Sequence, residues 1–357
     1  MRARKRRLAA RLLPSRIRPM SRMKRERPME GKRMGQKRNS RKGTWTRVVE
    51  AVHRRIRPGV KLAVGVSGGA DSVVLAEALY RLGAKPVILH FNHRWRGRSA
   101  EADARWLKVW SGKRKLKMAM GKAPRPGRTG EGEAREARWK FFEKAVRSGK
   151  LKQLWLAHQA DDQAETVLMQ LLRGAGPEGL AGMGEISGRD TFQVVRPLLA
   201  FSREEIRQAA REAGLPWRED VTNEDEKGWR VRIRKKVFPF LARIYGRDVR
   251  GALARTAEIF SGEAEYWRKE IGKIPRHPDT RLWRKKPLAW QRRAIRSWLG
   301  NHGYQGPNFF EVEGVRRLLT GGATAAWQLR QGAGVRRSQN KLFYINKMGL
   351  IAKGISG

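Results

Sequence analysis

The chain has 357 residues, of which 40% are hydrophobic, and this length is enough for about two domains with real cores. Eighty Lys and Arg residues stand against 33 Asp and Glu, and the formal net charge of +47 predicts a polyanionic partner such as a nucleic acid. The absence of cysteine excludes disulfides, thiolate metal sites, iron–sulfur clusters and cysteine nucleophiles, and no apolar run is long enough to cross a membrane. We therefore expect a cytoplasmic protein with no membrane partner.

Residues 1–44 form a basic arm with little apolar periodicity, and we expect it to be disordered. The arm holds eighteen Lys or Arg and only two acids, Glu26 and Glu30. Three interpretations stay open: an RNA-contacting tail, a transit peptide, or an over-extended start, with Met20, Met23, Met29 or Met34 as alternative initiators. The other 313 residues still carry a net charge of +31, so the preference for a polyanion does not depend on the arm.

A nucleotide-binding α/β unit is predicted next, in a domain at residues 45–245. A helix near Trp45–Ile56 precedes the apolar run Val60–Val66, which is typical of a buried parallel strand. A glycine-containing turn and a helical pattern follow that strand. Two more strand-to-helix steps are predicted, with strands at Pro86–His93 and Gln153–His158 and helices at Ala100–Trp110 and Asp161–Leu172. Three such steps in order predict a parallel sheet covered by helices on both faces.

The remaining segments are predicted to be irregular or helical. Residues 113–130 are rich in Lys, Arg, Pro and Gly, which favours a loop or a mobile insertion. Beyond Pro239 the pattern becomes helical, and it predicts a smaller, mainly helical domain at residues 246–357. Its predicted parts are helices at Asp248–Ile271 and Pro287–Leu299, a linker at Ile274–Lys286, and a short hairpin near Ala326–Ile345.

The turn after the first strand, Ser67-Gly68-Gly69-Ala70-Asp71-Ser72, predicts a phosphate-binding loop. Its glycines let the backbone approach an anion, its serines add hydroxyl donors, and the next helix presents its positive end. It is not a Walker loop, because no Gly-Lys-Ser or Gly-Lys-Thr follows, and it lacks the third glycine of the dinucleotide fingerprint. Asp71 would repel a phosphate, so it predicts Mg²⁺ or a substrate ammonium at this point. An ordinary tight turn is the alternative.

A polar cluster follows the third predicted strand. His158, Asp162 and Glu165 are spaced by four and then three residues, which would stack them on one helix face. With Asp161 beside them, they predict a cation site. Helix capping is the alternative for these acids, although a cap requires only one of them. Arg173, at the end of the same helix, is expected to reach a phosphate.

Several arginines at the edges of predicted elements are candidates for phosphate or RNA-backbone contacts, because the guanidinium fork matches phosphate oxygens. They are Arg135, Arg138, Arg196, Arg230, Arg232 and Arg234. For each one alone, a solvated surface charge is the competing interpretation. Some of the thirteen tryptophans are candidates for stacking on unpaired bases, although most are expected in cores.

The loop Ser67–Ser72 resembles the PP-loop of N-type ATP pyrophosphatases. Further motifs are similar in order and spacing to tRNA(Ile)-lysidine synthetase: His90–Gly97 with Ser99 and Asp103, Glu133–Trp139, His158–Thr166, Leu171–Gly176, Gly179–Met183, Arg196–Leu199, and Asp220–Asn223 before Arg230–Pro239. The similarity runs from about Leu62 to Leu241, and a weaker helical similarity covers Pro287–Leu319. Three residues depart from the family pattern, namely Arg94, Gln159 and Val231.

The resemblance implies a PP-loop ATP pyrophosphatase fold and a ligase that uses ATP and Mg²⁺. ATP would adenylate the C2 oxygen of the wobble cytidine in a tRNA(Ile) with a CAU anticodon, releasing pyrophosphate. The amine of L-lysine would then displace AMP and form lysidine. The chain also ends before the additional C-terminal domain expected in longer family members, so docking of the tRNA is expected to depend more on the basic arm and surface.

The resemblance also implies roles for individual residues. ATP and pyrophosphate would be bound by Ser67, Gly68, Gly69, Ala70, Asp71, Ser72, His158 and Arg173. The catalytic carboxylates would be Asp71, Asp162 and Glu165, with Asp71 as the Mg²⁺ ligand. The expected RNA contacts are Arg135, Arg138, Arg196, Arg230 and Arg234.

Two other functions stay open. One is another PP-loop enzyme that modifies tRNA, such as a cytidine thiolation enzyme, although such enzymes usually need cysteines. The other is a non-catalytic RNA-binding relative. In such a protein we would expect other residues in place of Asp71, Asp162 and Glu165, and all three acids are present. The oligomeric state also stays open, with a homodimer as one alternative.

Overall fold

The computed structural model describes residues 42–93, 98–123, 131–189, 191–218, 228–321 and 326–346. The described residues from Gly43 onward belong to one compact unit. The basic arm up to residue 41 lies outside them, as do two parts of the family-like motifs, Arg94–Gly97 and Asp220–Asn223. Within the described ranges, every helix is too short or too polar to span a bilayer.

A six-stranded sheet lies at the centre of the N-terminal part. Its strands are β1 (Leu62–Gly65), β2 (Val87–Asn92), β3 (Met118–Lys122), β4 (Gln153–Trp155), β5 (Ile186–Arg189) and β6 (Phe192–Val195). The spatial order is β3-β2-β1-β4-β6-β5, and every neighbouring pair is parallel except the β5–β6 hairpin. The direction of winding reverses between β1 and β4, and open α/β sheets bind ligands at the carboxyl ends of strands beside such a point. The predicted parallel α/β fold is confirmed.

Helices cover both faces of this sheet. They are α1 (Thr44–His53), α2 (Ala70–Arg81), α3 (Arg98–Lys113), α4 (Glu131–Ser148), α5 (Ala160–Leu172), α6 (Pro177–Leu180) and α7 (Arg203–Glu212). Successive side chains of a strand point to opposite faces, so Val64 packs with Leu75 and Ile206 on one face, while Ala63 packs with Phe142 on the other. These two cores fix the strands whose carboxyl ends carry the polar motifs.

The C-terminal part is mainly helical and has a core of its own. Its elements are α8 (Trp229–Arg232), a π-helical segment (Ile233–Val237), α9 (Phe238–Tyr245), α10 (Arg250–Ile271), α11 (Thr280–Trp283), α12 (Leu288–Asn301), α13 (Phe309–Arg317), and an antiparallel sheet of β7 (Ala326–Gln328), β8 (Gly334–Ser338) and β9 (Lys341–Ile345). Trp283, Trp298, Val315 and Leu342 are buried together in the second core. Helix α10 packs on α5 and α6 and also on α12, so it joins the two parts. The domain boundary at residue 245 stays a prediction.

Two segments that were expected to be irregular contain regular structure. Within the predicted loop at residues 113–130, β3 pairs with β2 along five residues, and the alternation of Lys with apolar residues over Lys115–Met118 carries its signal. Within the predicted linker Ile274–Lys286, Asp279 caps α11 and Trp283 is buried. The prediction of irregular structure is wrong for these residues, because strand pairing and core packing outweigh their Lys, Gly and Pro content. The predicted C-terminal hairpin is present as β8–β9, with β7 added to it.

Candidate active site

A cavity of about 480 Å³ opens at the carboxyl ends of β1, β2 and β4, a volume that suits a nucleotide-sized ligand. Its wall includes titratable side chains from several elements: Asp71, Asp103, Asp162, His90, His93, His158, Arg135, Arg138, Arg203, Arg207, Arg218 and Arg234. The lining arginines outnumber the lining aspartates, so the cavity favours an anionic ligand. The sequence motifs after β1, β2 and β4 therefore meet in one place.

Hydrogen bonds within the loop Ser67–Ser72 fix its shape. The amide N of Ser67 donates to Ser72 Oγ at 3.1 Å, and the Ser72 hydroxyl donates to the Gly69 carbonyl at 3.0 Å. Gly68 has a φ of +99°, a conformation in which a residue with a side chain would be strained. Gly69 caps α2, with no side-chain capping bond among the described residues, so the first-turn N–H groups stay available to an anion.

Two half-buried carboxyl groups, Asp71 on α2 and Asp162 on α5, face the cavity. Desolvation raises the pKa of Asp71 to about 6; Arg203 opposes this rise and Asp162 adds to it. Desolvation also raises the pKa of Asp162, although the backbone N–H of Gln159 donates to its Oδ2 at 3.1 Å. Asp162 thus takes part in a capping box with Gln159, so the capping interpretation holds for this acid alongside a role in the cavity.

Glu165 lies one turn further along α5 and is fully buried, outside the cavity lining. Arg234 Nε donates to its Oε1 at 2.8 Å, and its Oε2 has no hydrogen-bond partner among the described residues. Burial raises the pKa of Glu165 above its ordinary value, and the hydrogen bond from Arg234 offsets only part of this rise. Because Arg234 lines the cavity, this ion pair connects the buried acid to the cavity wall.

His158 lies in the loop after β4, one residue before the N-cap of α5. The prediction that it shares a helix face with Asp162 and Glu165 is wrong, because α5 begins only at Ala160. Burial and, to a smaller extent, the positive charge of Arg196 lower the pKa of His158 to about 3, so the ring is neutral at pH 7. Arg196 Nε donates to His158 Nδ1 at 3.2 Å, which leaves the proton on Nε2 for donation to a ligand.

The other arginines named from the sequence occupy three kinds of position. Arg135 and Arg138 on α4 line the cavity. Arg230 Nη2 lies 3.5 Å from Thr166 Oγ1. Arg196 is buried and also donates to the carbonyl of Gly184 at 2.8 Å, so the structure places it as a support for His158.

Arg173 lies apart from the cavity. It is the exposed C-cap of α5 and does not line the cavity wall. Eleven residues of helix separate it from Asp162, a distance of roughly 16 Å along the axis. The structure therefore does not bring Arg173 together with the other residues expected to contact ATP.

Sequence reasoning missed cavity residues on and after α7. Arg203 and Arg207 are one turn apart, and the capping box between Ser202 and Glu205 is a local signal that could have located this helix start. The backbone N–H of Arg218 donates to the Gly68 carbonyl at 3.0 Å, and its side chain pairs with Asp103. No local pattern indicates that pair, because the two residues are 115 positions apart.

The carboxyl groups fit a small Mg²⁺ site better than a three-ligand site. In the part of the chain that the structure describes, no group of three or more His, Cys, Asp or Glu side chains could hold a metal ion. Mg²⁺ at nucleotide sites usually takes one or two carboxylates and completes its shell with phosphate oxygens and water. Asp71 and Asp162, whose charges repel each other, match that smaller set.

Two family models match the chain, and each covers one of its two large cores. Residues 44–241 match the PP-loop domain, and residues 279–343 match the TilS substrate binding domain. The chain is 35% identical over 293 residues to tRNA(Ile)-lysidine synthase of Solibacter usitatus, a match that covers 78% of this chain and 66% of that relative. It is 34% identical over 278 residues to tRNA(Ile)-lysidine synthase of Thermosynechococcus vestitus, covering 74% and 80%.

Among solved structures, the U34-tRNA thiolase NcsA from Methanococcus maripaludis is similar with a TM-score of 0.50. The match covers 61% of this chain and 80% of that chain, at 16% sequence identity. At this level of identity the likeness shows a shared fold and nothing about the reaction.

Proposed function

The chain belongs to the tRNA(Ile)-lysidine synthase family, and from that membership we propose that it ligates lysine to the wobble cytidine of a tRNA(Ile) with a CAU anticodon, converting ATP to AMP and pyrophosphate. The PP-loop domain supports the use of ATP, and the substrate binding domain supports a tRNA substrate. The observation that carries the proposal is the single cavity in which the loop Ser67–Ser72, two carboxyl groups and several arginines meet.

The phosphates of ATP would lie on the loop after β1. The first-turn N–H groups of α2 and the hydroxyls of Ser67 and Ser72 are donors suited to the two outer phosphoryl groups. The neutral ring of His158 would donate from Nε2 to the nucleotide. Asp71 and Asp162 would hold Mg²⁺ together with phosphate oxygens, and the ion would neutralise charge on the pyrophosphate.

The first step would be adenylation of the cytidine. The C2 oxygen attacks the α-phosphorus of ATP, and the bond from that phosphorus to the pyrophosphate oxygen breaks. This step is needed because the C2 oxygen is a poor leaving group until it carries a phosphoryl group. Arg138, Arg203 and Arg207 line the cavity, and they would stabilise the negative charge that moves onto the pyrophosphate.

The second step would be attack by the lysine amine on C2. An ammonium group has a pKa near 10.4 and cannot attack until it loses a proton. Desolvation raises the pKa values of Asp162 and Glu165, which makes each a stronger base than an exposed carboxylate. Asp162 would take the proton, because it faces the cavity whereas Glu165 is buried outside it. The C2–N bond would form, the bond from C2 to its former oxygen would break, and AMP would leave with that oxygen. The homodimer named as an alternative from the sequence stays a prediction.

The direct test is mass spectrometry of nucleosides from an isoleucine tRNA transcript incubated with the protein, ATP, Mg²⁺ and lysine. Lysidine should replace one cytidine, and it should be absent when lysine or ATP is omitted. A transcript with uridine at the wobble position is the matched control and should stay unmodified. Unmodified cytidine in the complete reaction would contradict the proposal.

A further inference from the structure

The segment Trp229–Tyr245 is a run of helix whose composition is unusual even in this basic chain. Through α8, the π-helical segment and α9 it carries six Lys or Arg and no acid. Four large apolar side chains are exposed on it: Trp229 by 61%, Phe240 by 57%, Ile244 by 66% and Tyr245 by 67%. Large apolar groups exposed together mark an interaction surface.

The inner side of this segment is anchored, so its outer side has a fixed direction. Ile233 and Phe238 are buried in a small core with Leu168 of α5. Arg234 adds the ion pair with Glu165 at 2.8 Å. We define the outer face by its exposed side chains at helical spacing, which are Trp229, Arg232, Lys235, Lys236, Phe240, Arg243, Ile244 and Tyr245.

The outer face begins beside the cavity and leads away from it. Arg234 lines the cavity, and the charge of Arg230 contributes to the pKa shifts of His158 and Asp162. Seventeen helical residues span roughly 25 Å. An RNA strand with one base in the cavity would therefore have several neighbouring nucleotides within reach of the outer face.

We propose that the outer face is the docking surface for the single-stranded anticodon loop of the RNA substrate, an inference that rests on the proposed function. Unpaired bases stack on aromatic rings and arginine planes, and Lys and Arg neutralise the phosphates between them. The guanidinium of Arg232 already lies 5.0 Å from the ring centre of Trp229. A second copy of the chain fits this face poorly, because it would bring another six basic residues and a net charge of +47.

The first test measures binding of a tRNA(Ile) transcript and of its isolated anticodon stem-loop to the full chain. Trp229→Ala and Phe240→Ala should each raise the Kd for both RNAs about fivefold or more, and Trp229→Phe should restore most of the affinity. The KM for ATP and the melting temperature should not change. Tyr80→Ala is the matched control, because Tyr80 is exposed by 40%, lies 5.6 Å from the guanidinium of Arg114, and belongs to the end of α2 remote from the cavity.

The second test separates stacking from charge. Lys235→Ala and Lys236→Ala should each reduce the dependence of log K on log salt by about 0.7, the value for one phosphate contact in a single strand. Trp229→Ala should weaken binding equally at all salt concentrations and leave that dependence unchanged. The opposite pattern would overturn the assignment of bases to the aromatic side chains.

Wild-type Kd values for both aromatic variants, with unchanged melting temperatures, would overturn the proposal. Loss of a dimer in sedimentation experiments on Phe240→Ala, with normal RNA binding, would instead identify the face as a contact between copies. The proposed function fails separately: if the wild-type protein makes no lysidine while Trp229→Ala still weakens RNA binding, the docking surface stands and the reaction does not.

Discussion

At the scale of single residues, Asp71 places a carboxylate in a loop that is suited to binding phosphates, and the two negative charges repel each other. We predict that Asp71→Asn reduces tRNA-dependent pyrophosphate release at least a hundredfold, because the amide keeps the shape but cannot attract Mg²⁺ or an ammonium. The measurement is pyrophosphate release with saturating ATP, lysine and tRNA. Binding of tRNA alone should stay at the wild-type level, and unchanged release would show that Asp71 has no role in the reaction.

Asp71 should also lower the free energy of unfolding of the protein when no nucleotide or metal ion is bound. The pKa of Asp71 is about 6 in the folded state and 3.8 by reference, so between these values the folded state binds more protons than the unfolded state. The free energy of unfolding therefore falls as the pH rises from about 4 to 6, and it stays lower at pH 7. Asp71→Asn should remove this loss and raise the free energy of unfolding at pH 7, by up to about 3 kcal/mol.

The measurement is urea unfolding at pH 4 and pH 7, without nucleotide and with EDTA. The exposed Asp248 is the control with the opposite sign, because its hydrogen bond from Arg250 lowers its pKa. Asp248→Asn should reduce stability slightly at pH 7 and have no effect once the pH is below the lowered pKa. A destabilised Asp71→Asn variant at pH 7 would contradict the assigned pKa.

The spacing to Asp162 predicts Glu165 as a candidate residue. It does not predict that Glu165 is buried or that Arg234 is its partner. Arg234 is 69 residues away, and such a pairing depends on packing rather than on local pattern. We predict that Arg234→Met destabilises the protein by about 3–5 kcal/mol, because it leaves a buried carboxylate without compensation. The double variant Arg234→Met with Glu165→Gln should recover most of that loss in urea unfolding, and additive losses would contradict the coupling.

Glu165 should also matter for lysine more than for RNA. We predict that Glu165→Ala raises the KM for lysine at least tenfold while the Kd for tRNA changes less than threefold. The acid neutralises Arg234 in the cavity wall, and without it the charge of Arg234 would repel the lysine ammonium. Steady-state kinetics with varied lysine, together with direct tRNA binding, measure the two effects. Equal losses in both would indicate that the residue acts only through the fold.

At the scale of elements, the sequence predicts best where one local pattern decides the structure. Continuous apolar runs predict β1, β2 and β4, and helical periodicity predicts α2, α5 and α10. The edge strand β3 is not predicted because Lys, Arg, Pro and Gly are frequent in the surrounding residues 113–130, while its parallel pairing with β2 depends on residues about thirty positions earlier. The arginines of α7 are not predicted for a similar reason, since only the fold brings them to the cavity.

Gly121 tests whether β3 is as tightly packed as the structure shows. A Cβ at this position would lie 2.6 Å from the ring of Phe141 and 2.8 Å from that of Phe91. We predict that Gly121→Ala destabilises the protein by about 1–3 kcal/mol through overpacking. The control is Gly112→Ala in α3, where a Cβ meets no atom within 4 Å among the described residues, and it should stabilise the helix by about 0.5–1 kcal/mol. Equal melting temperatures for the two variants would show that the segment is not a packed strand.

At the scale of the whole molecule, helix α10 links α5, the helix that carries Asp162, to the substrate binding domain. Arg250 near its start pairs with Asp161 at 2.8 Å, and Trp267 near its end lies 4.7 Å from the guanidinium of Arg293 on α12. Arg293 also pairs with Glu178 of α6 at 2.7 Å. The two parts are therefore joined by charged contacts that composition alone does not predict. The sequence does predict the two domains themselves.

The charge of the whole chain leads to the final prediction, which concerns RNA affinity. Most of the excess charge lies outside the arm, since residues 45–357 carry +31. A variant that lacks residues 1–41 should therefore still bind tRNA with an affinity that falls steeply with salt, because each neutralised phosphate adds about 0.7–0.9 to the slope of log K against log salt. We expect a slope of about −4 or steeper between 50 and 200 mM salt, and a flat response would contradict the electrostatic account. The full-length chain measured in parallel distinguishes the interpretations of the arm: a still steeper slope indicates an RNA-contacting tail, whereas an identical slope favours a transit peptide or an over-extended start.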